Sequence, residues 1–287
     1  MIVKAHPESR RSHPNLSAKR AGRVSTCTTA LVLLAACAGA PTPPQNARLE
    51  QAADYNRRGE VVLEQGDYRR ALALYEAALR IDISIENVDG VAINSINLAR
   101  VHQMLGEDEL AHRRLDAVLG GGKIFSQEHI AAARLRKAML YQAAGDVDAA
   151  VSWAAQTTEL CKDSACIWQG TLLNLRVRLA LAHGNFADAS ALAAQALAVN
   201  RRREMREEIA NSLRLQAEVR ILQKDFAAAL APLDEALALD KALGLPQRIA
   251  HDLQHMADVQ AGLGNADEAR TLRTRAARVA SQELKPD

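Results

Sequence analysis

Small, polar and apolar residues recur along the chain in one pattern, at intervals of about 40 residues. Most copies have a glycine, a polar residue and an apolar residue, followed three positions later by an alanine. The final alanines are 40, 39, 39, 40 and 40 residues apart, at Ala71, Ala111, Ala150, Ala189, Ala229 and Ala269. Self-similarity at a fixed period of this length predicts an array of repeated structural units.

Each position of the pattern has a physical role in a pair of helices. Glycine adopts the left-handed conformation that ends a helix, and a following Asp or Asn can cap the next one. The recurring alanine suits a helix crossing, where a larger side chain would hold the helices apart. Lys224 replaces glycine in the fifth copy and is predicted to weaken that turn. The sequence therefore predicts an all-α fold: a right-handed α-solenoid of about six helix pairs over residues 47–282.

The first copy resembles the tetratricopeptide repeat family, with small and large residues at its consensus positions: Gly59, Gly66, Tyr68, Ala71, Tyr75 and Ala78. The family's usual period is shorter, about 34 residues, and its closing proline is absent here. The resemblance implies a non-catalytic scaffold that binds a protein or peptide in a concave groove lined by the first helix of each pair. The repeats leave no stretch long enough for a separate catalytic domain.

The resemblance also implies which residues line that groove. Carried over position by position, they include Asn56, Arg100, Asn174, Arg178, Asn211, Arg214, Glu218 and His251. The arginines at 178 and 214, with the asparagines at 174 and 211, could hold a carboxylate or an extended peptide through charge-assisted hydrogen bonds. The family's Lys and Asn carboxylate clamp is not reproduced, and solvent exposure without a ligand is the open alternative.

Residues 1–36 have the layout of a secretory signal: a basic stretch, then a short apolar run that ends at Cys37. The run is too short to span a bilayer. Leu34-Ala35-Ala36-Cys37 resembles the bacterial lipobox, which implies cleavage before Cys37 and acylation of its thiol. Residues 37–46, which contain three prolines and one glycine, are then expected to form a tether. Ala38 after the cysteine implies the outer membrane, with the protein facing the periplasm. The alternatives are an ordinary buried cysteine and a translation start near Val24.

Charge excludes nucleic acid as the expected partner. Residues 1–36 hold six of the 36 Lys and Arg residues and one of the 34 Asp and Glu residues. Without them 30 basic and 33 acidic residues remain, a net charge of about −3. A chain of that charge has no electrostatic attraction to phosphate backbones.

Two pairs of residues have side chains that could form a disulfide or bind a metal. Cys161 and Cys166 could form a disulfide or remain two partly buried thiols. His251 and His255 lie four apart in a predicted helix, but no third metal ligand is evident nearby, so we predict no metal site and no cofactor. A metal-dependent hydrolase using these histidines and a cytosolic repeat adaptor are the alternative functions. Residues 283–287 are expected to be a disordered tail.

Overall fold

The structure is a computed structural model and describes residues 44–162 and 166–282. Within these ranges it consists of helices without strands, which confirms the predicted α-solenoid of six antiparallel pairs. The helices are α1 (Pro44–Glu64), α2 (Tyr68–Ser84), α3 (Val88–Met104), α4 (Asp108–Leu119), α5 (Gln127–Ala143), α6 (Val147–Leu160), α7 (Gln169–Ala182), α8 (Phe186–Arg202), α9 (Arg206–Leu222), α10 (Phe226–Leu243), α11 (Pro246–Gly262) and α12 (Ala266–Gln282). A short 3-10 turn, Gly122–Ile124, precedes α5.

The recurring alanines lie where the two helices of a pair cross. Each is between 0% and 1% exposed, from Ala71 in the first pair to Ala269 in the sixth. A second small position, twelve residues earlier, is buried against them: Ala99, Ala138 and Ala217 are all 0% exposed. Inserting a larger side chain at such a crossing typically costs about 1–3 kcal/mol. The aromatic-poor core is therefore a stack of close helix crossings.

The turn inside each pair is built as the pattern predicts. Asp67, Asp146, Asn185 and Asp225 each accept a hydrogen bond from the backbone N–H three residues on, which caps the second helix. Lys224 adopts φ +63°, the left-handed conformation that glycine has in the other copies. The turn is kept at this position, although a side chain there is strained.

A further repeating position was not predicted from the sequence. In three repeats, the residue eleven positions after the recurring alanine is polar and buried, lies in the last turn of the second helix and pairs with the first helix of the next repeat. The pairs are Asp82 with Asn94 (2.7 Å), Asn200 with Ser212 (3.0 Å), and Asp240 with Asp252, which both accept from Arg214. These contacts fix one repeat against the next.

Several N-terminal predictions lie outside the described residues, including the signal peptide at 1–36, Cys37 and most of the tether. The expected disordered tail at 283–287 also lies outside them. The first helix begins at Pro44, three residues before the predicted start of the repeats, because proline suits the first position of a helix. Over the part of the chain described, none of the helices is both long and apolar enough to cross a membrane.

Candidate partner-binding groove

The first helices of successive pairs contact one another along one face of the solenoid. This inner face carries the residues that the sequence assigned to the groove. A cavity of about 510 Å³ lies on this face between α7, α9 and α11 and is also lined by Gln142 of α5. Five of the eight predicted groove residues line it together: Arg178, Asn211, Arg214, Glu218 and His251.

Asn174 and Asn211 differ in the partners that their side-chain amides bind. Asn174 is fully buried, donates to Glu208 Oε2 at 2.8 Å and accepts from the Ser212 hydroxyl at 2.8 Å. Its polar atoms are therefore used inside the protein. Asn211 accepts from Arg178 Nη2 at 2.8 Å and donates to Glu208 Oε2 at 3.3 Å. Asn211 thus orients the Arg178 guanidinium at the cavity wall.

Arg214 binds two carboxylates that belong to the protein itself. Its Nη1 donates to Asp240 of α10 and to Asp252 of α11, the latter at 3.1 Å, and both aspartates are fully buried. Burial raises the pKa of Asp252 to about 7, and the neighbouring charge of Asp240 adds to the rise, against the attraction of Arg214. Arg214 therefore joins the fifth and sixth repeats, and its charge is already partly compensated.

His251 and His255 contact each other at the opposite wall of the cavity. Their Nε2 atoms are 3.1 Å apart, so one ring can donate to the other. Burial lowers the pKa of His251 to about 4, and the pKa of His255 is lowered by the same cause. Both rings are neutral at pH 7. Within residues 44–162 and 166–282 no cluster of three or more His, Cys, Asp or Glu is arranged to hold a metal ion.

The predicted groove residues of the first two repeats form internal contacts. Asn56 donates to Asn94 Oδ1 at 2.7 Å. Arg100 donates to Glu60 at 2.8 Å and to Glu64 at 2.9 Å, which links α3 to α1. The Tyr75 hydroxyl donates to the other oxygen of Glu60 at 2.7 Å. This end of the groove is therefore filled by its own ion pairs.

A contact between side chains of α1 and α11 brings the first and last repeats together. Arg248 lies 3.7 Å from Glu64 and 3.2 Å from Glu207 of α9. A Cβ atom added to Gly66 would come within 2.6 Å of the Gln247 side chain. Polar side chains of the first and last repeats thus contact each other across the superhelix.

Sequence reasoning missed two charged residues of the inner face, Arg136 on α5 and Glu208 on α9. Both are at most 9% exposed. Neither occupies a family groove position. A signal was nevertheless present, because Arg136 lies three residues before Met139, which does occupy such a position, and residues three apart share a side of a helix.

Cys161 and Cys166 are joined by a disulfide in the structure. The bridge lies between α6 and α7, where the third repeat meets the fourth, and Cys161 is 6% exposed. Cys161 lies eleven residues after the recurring Ala150, the position that Asp82, Asn200 and Asp240 occupy in other repeats. A covalent bond therefore stands at a position where polar contacts join the first repeat to the second, the fourth to the fifth and the fifth to the sixth.

Comparison with known proteins supports the repeat fold. A tetratricopeptide repeat family model matches residues 50–120. BtubC (BKLC) from P. vanneervenii has 17% identity and a TM-score of 0.53 over 86% of this chain and 95% of its own. The Rap protein complexed with competence and sporulation factor has 16% identity and a TM-score of 0.59, over 83% and 67% respectively. PilF of Pseudomonas aeruginosa has 17% identity and a TM-score of 0.50, over 81% and 93%.

Among curated proteins, none matches this chain in sequence. Identities this low show the fold alone. The fold generally mediates protein–protein interaction and is typically a non-catalytic scaffold. The family model matches only the first repeats, residues 50–120, and the six helix pairs of the described residues share the fold of these solved structures.

Proposed function

We propose that this chain is a non-catalytic scaffold lipoprotein of the bacterial envelope, which binds a peptide or a partner subunit in its concave groove. The cavity between α7, α9 and α11 carries the proposal, because it gathers charged and amide side chains at a concave face. Concave sites with a few converging polar groups are the usual form of a binding site. Through this binding the chain serves the assembly or regulation of an envelope complex.

The similar fold of the Rap protein gives this proposal a precedent. That protein is complexed with a competence and sporulation factor. In the present chain, Arg178, Asn211 and Glu218 offer a donor, an amide and an acceptor along one wall of the cavity. An extended peptide backbone needs this mixture of donors and acceptors.

The proposed location rests on the sequence before the repeats. Leu34-Ala35-Ala36-Cys37 supports acylation of Cys37, and more than one acyl chain gives stable anchoring. The absence of aspartate after Cys37 supports the outer membrane, with the repeats in the periplasm. A disulfide between Cys161 and Cys166 is compatible with an oxidising compartment.

Site-specific photo-crosslinking tests the groove. A photoreactive amino acid replaces Gln142, which lines the cavity, or Gln195, an exposed glutamine on α8 that serves as the matched control. We expect a discrete crosslinked partner from position 142 and none from position 195 in cells that produce the chain at its natural level. Crosslinking from position 195 alone, or from neither position, would contradict binding in the groove.

Metabolic labelling with a clickable fatty acid tests the anchor. The natural chain should incorporate the label and fractionate with the outer membrane. Cys37→Ala should remain unlabelled and at its precursor length. An unlabelled natural chain would rule out the lipoprotein and leave the groove proposal unaffected.

A further inference from the structure

The histidine pair of α11 presents two ring nitrogens to one point. His251 and His255 lie about one helical turn apart, and their Nε2 atoms are 3.1 Å apart. Histidines at this spacing share one face of a helix, as they do in helical zinc motifs. Two nitrogens bound to one Zn²⁺ at about 2.0–2.1 Å are about 3.3 Å apart at the tetrahedral angle. The separation in this pair is therefore close to that of two ligands of one metal ion.

The pair can be reached from the cavity between α7, α9 and α11. Both rings line this cavity of about 510 Å³, and the side chain of His251 remains exposed to solvent. Partial desolvation lowers the pKa of both rings, so that both are neutral at pH 7. A neutral imidazole keeps the lone pair that a metal ion binds. The two nitrogens are thus in the chemical state of metal ligands.

Glu218 of α9 adds a carboxylate to the lining of the same cavity. Helix α9 contacts α11, and Glu218 lines the cavity together with both histidines. Across residues 44–162 and 166–282, its carboxylate has no hydrogen bond and no ion pair. Glu218 lies more than 30 residues before the histidines in the sequence, so that only the fold brings the three residues to one cavity.

The charges near the histidine pair leave Glu218 as the carboxylate that is able to compensate a cation. Arg178, Arg214, Glu218 and Asp258 all act on the pair. Arg214 already binds two buried aspartates, whereas Arg178 binds a neutral amide and opposes a cation. Asp258 is engaged by an arginine and a glutamine side chain. Glu218 has no such partner among the described residues.

We infer that His251, His255 and Glu218 bind a divalent transition-metal ion, for which Zn²⁺ is the best match. As they stand, the three side chains are not a closed set of ligands, and rotation of the Glu218 side chain completes the set. Two imidazoles and one carboxylate, with water in the fourth position, suit Zn²⁺, whereas Mg²⁺ and Ca²⁺ prefer oxygen ligands alone. The ion ties the fifth repeat to the sixth at the cavity. This inference goes beyond the proposed function and assigns no reaction to the ion.

Calorimetric titration of the full chain with ZnCl₂ tests the site. The chain carries no histidine tag, any free thiol is alkylated, and bound metal is first removed with a chelator. We expect saturable binding of one ion per chain and a higher Tm with Zn²⁺, because a ligand that binds only the folded state stabilises it. MgCl₂ should give neither response. CoCl₂ is the spectroscopic probe, because four-coordinate Co²⁺ absorbs visible light far more strongly than hydrated Co²⁺.

Variants of the three ligands locate the ion. His251→Ala and His255→Ala should each weaken Zn²⁺ binding by about 100-fold or more, since loss of an outer partner of a ligand already costs about 10- to 100-fold. Glu218→Gln should weaken it by about tenfold or more and remove the strong Co²⁺ absorption. His183→Ala, at an exposed histidine after α7, is the matched control and should bind as the natural chain does. If an alanine variant fails to fold, the ring NMR signals of the two histidines in the natural chain still decide, because Zn²⁺ should shift both.

Four results would overturn the inference. They are the absence of saturable Zn²⁺ binding, binding that survives both histidine variants, an equal loss in His183→Ala, and an unchanged titration in Glu218→Gln. No partner is present in these titrations. Their failure is therefore a separate result from the failure of the crosslinking experiment, which tests the proposed function.

Discussion

Two clusters of one arginine and two carboxylates join repeats at opposite ends of this solenoid, and one carboxylate in each has its pKa shifted, in opposite directions. In the first, Arg100 bonds Glu60 and Glu64, and the three side chains are 13%, 13% and 17% exposed. In the second, Arg214 bonds Asp240 and Asp252, whose side chains are 0% exposed. The pKa of Glu60 lies below its usual value, whereas that of Asp252 is raised to about 7.

The difference comes from the balance between desolvation and neighbouring donors. Burial raises the pKa of Glu60, but attraction by Arg100 and the Tyr75 hydrogen bond outweigh it. Glu64 has a second cation nearby, Arg248. Burial and the charge of Asp240 both raise the pKa of Asp252, and a single arginine, Arg214, opposes the rise. A buried carboxylate beside an arginine thus keeps a low pKa only where further donors or some solvent remain.

Replacing the arginine of each cluster should give the largest difference in unfolding free energy between the two clusters. Arg214→Met leaves two buried aspartates without a cation, so we expect a loss of about 3–5 kcal/mol in unfolding free energy at pH 8. At pH 5 the loss should be smaller, because Asp252, whose pKa is raised to about 7, then holds a proton. Urea unfolding followed by circular dichroism measures both values.

Arg100→Met is the matched variant and should lose less at pH 8, since Glu60 and Glu64 keep solvent and other donors. Equal losses in the two variants, unchanged between pH 5 and 8, would contradict the role given to burial.

Asp252→Asn should change the pH dependence of stability. The folded pKa of Asp252 lies above its ordinary value of 3.8, so the folded chain holds a proton that the unfolded chain releases. The stability from this group is full below about pH 4 and is lost as pH rises through 7, with a slope of at most about 1.4 kcal/mol per pH unit. Relative to the natural chain, Asp252→Asn should therefore gain stability from pH 4 to 8. A constant difference over that range would refute the raised pKa of Asp252.

Glu60→Gln should show a smaller effect of opposite sign. The folded pKa of Glu60 lies below its ordinary value of 4.5, so its contribution is full above pH 4.5 and is lost as pH falls through the folded value. We expect a cost of about 1–2 kcal/mol at pH 7 that shrinks toward pH 3. Unfolding free energies at pH 3, 5 and 7 would test this, with exposed Glu109→Gln as the control.

Much of the fold could be predicted because its rules are local. The glycine turns, the caps such as Asp67 and the small crossing residues such as Ala71 each act within a few positions. The repeat period then showed which helices pair. Five predicted groove residues met at one cavity for the same reason, since the family position fixes the side of the helix. Asn174 was placed on the correct helix, but its burial depends on Glu208 and Ser212, residues of the next pair.

The sequence by itself determined the class of fold, the number of repeats and the inner face of each first helix. Only the tertiary structure decided which charges on that face are compensated. The first helices α3, α5, α7 and α9 each carry one of the arginines Arg100, Arg136, Arg178 and Arg214, and any bonding partner comes from another helix. Arg100 and Arg214 each have two carboxylates, and Arg178 has an amide. Arg136 has no partner among the residues described. Ion pairing depends on distance in space, and in this solenoid that distance is set by how tightly successive repeats coil.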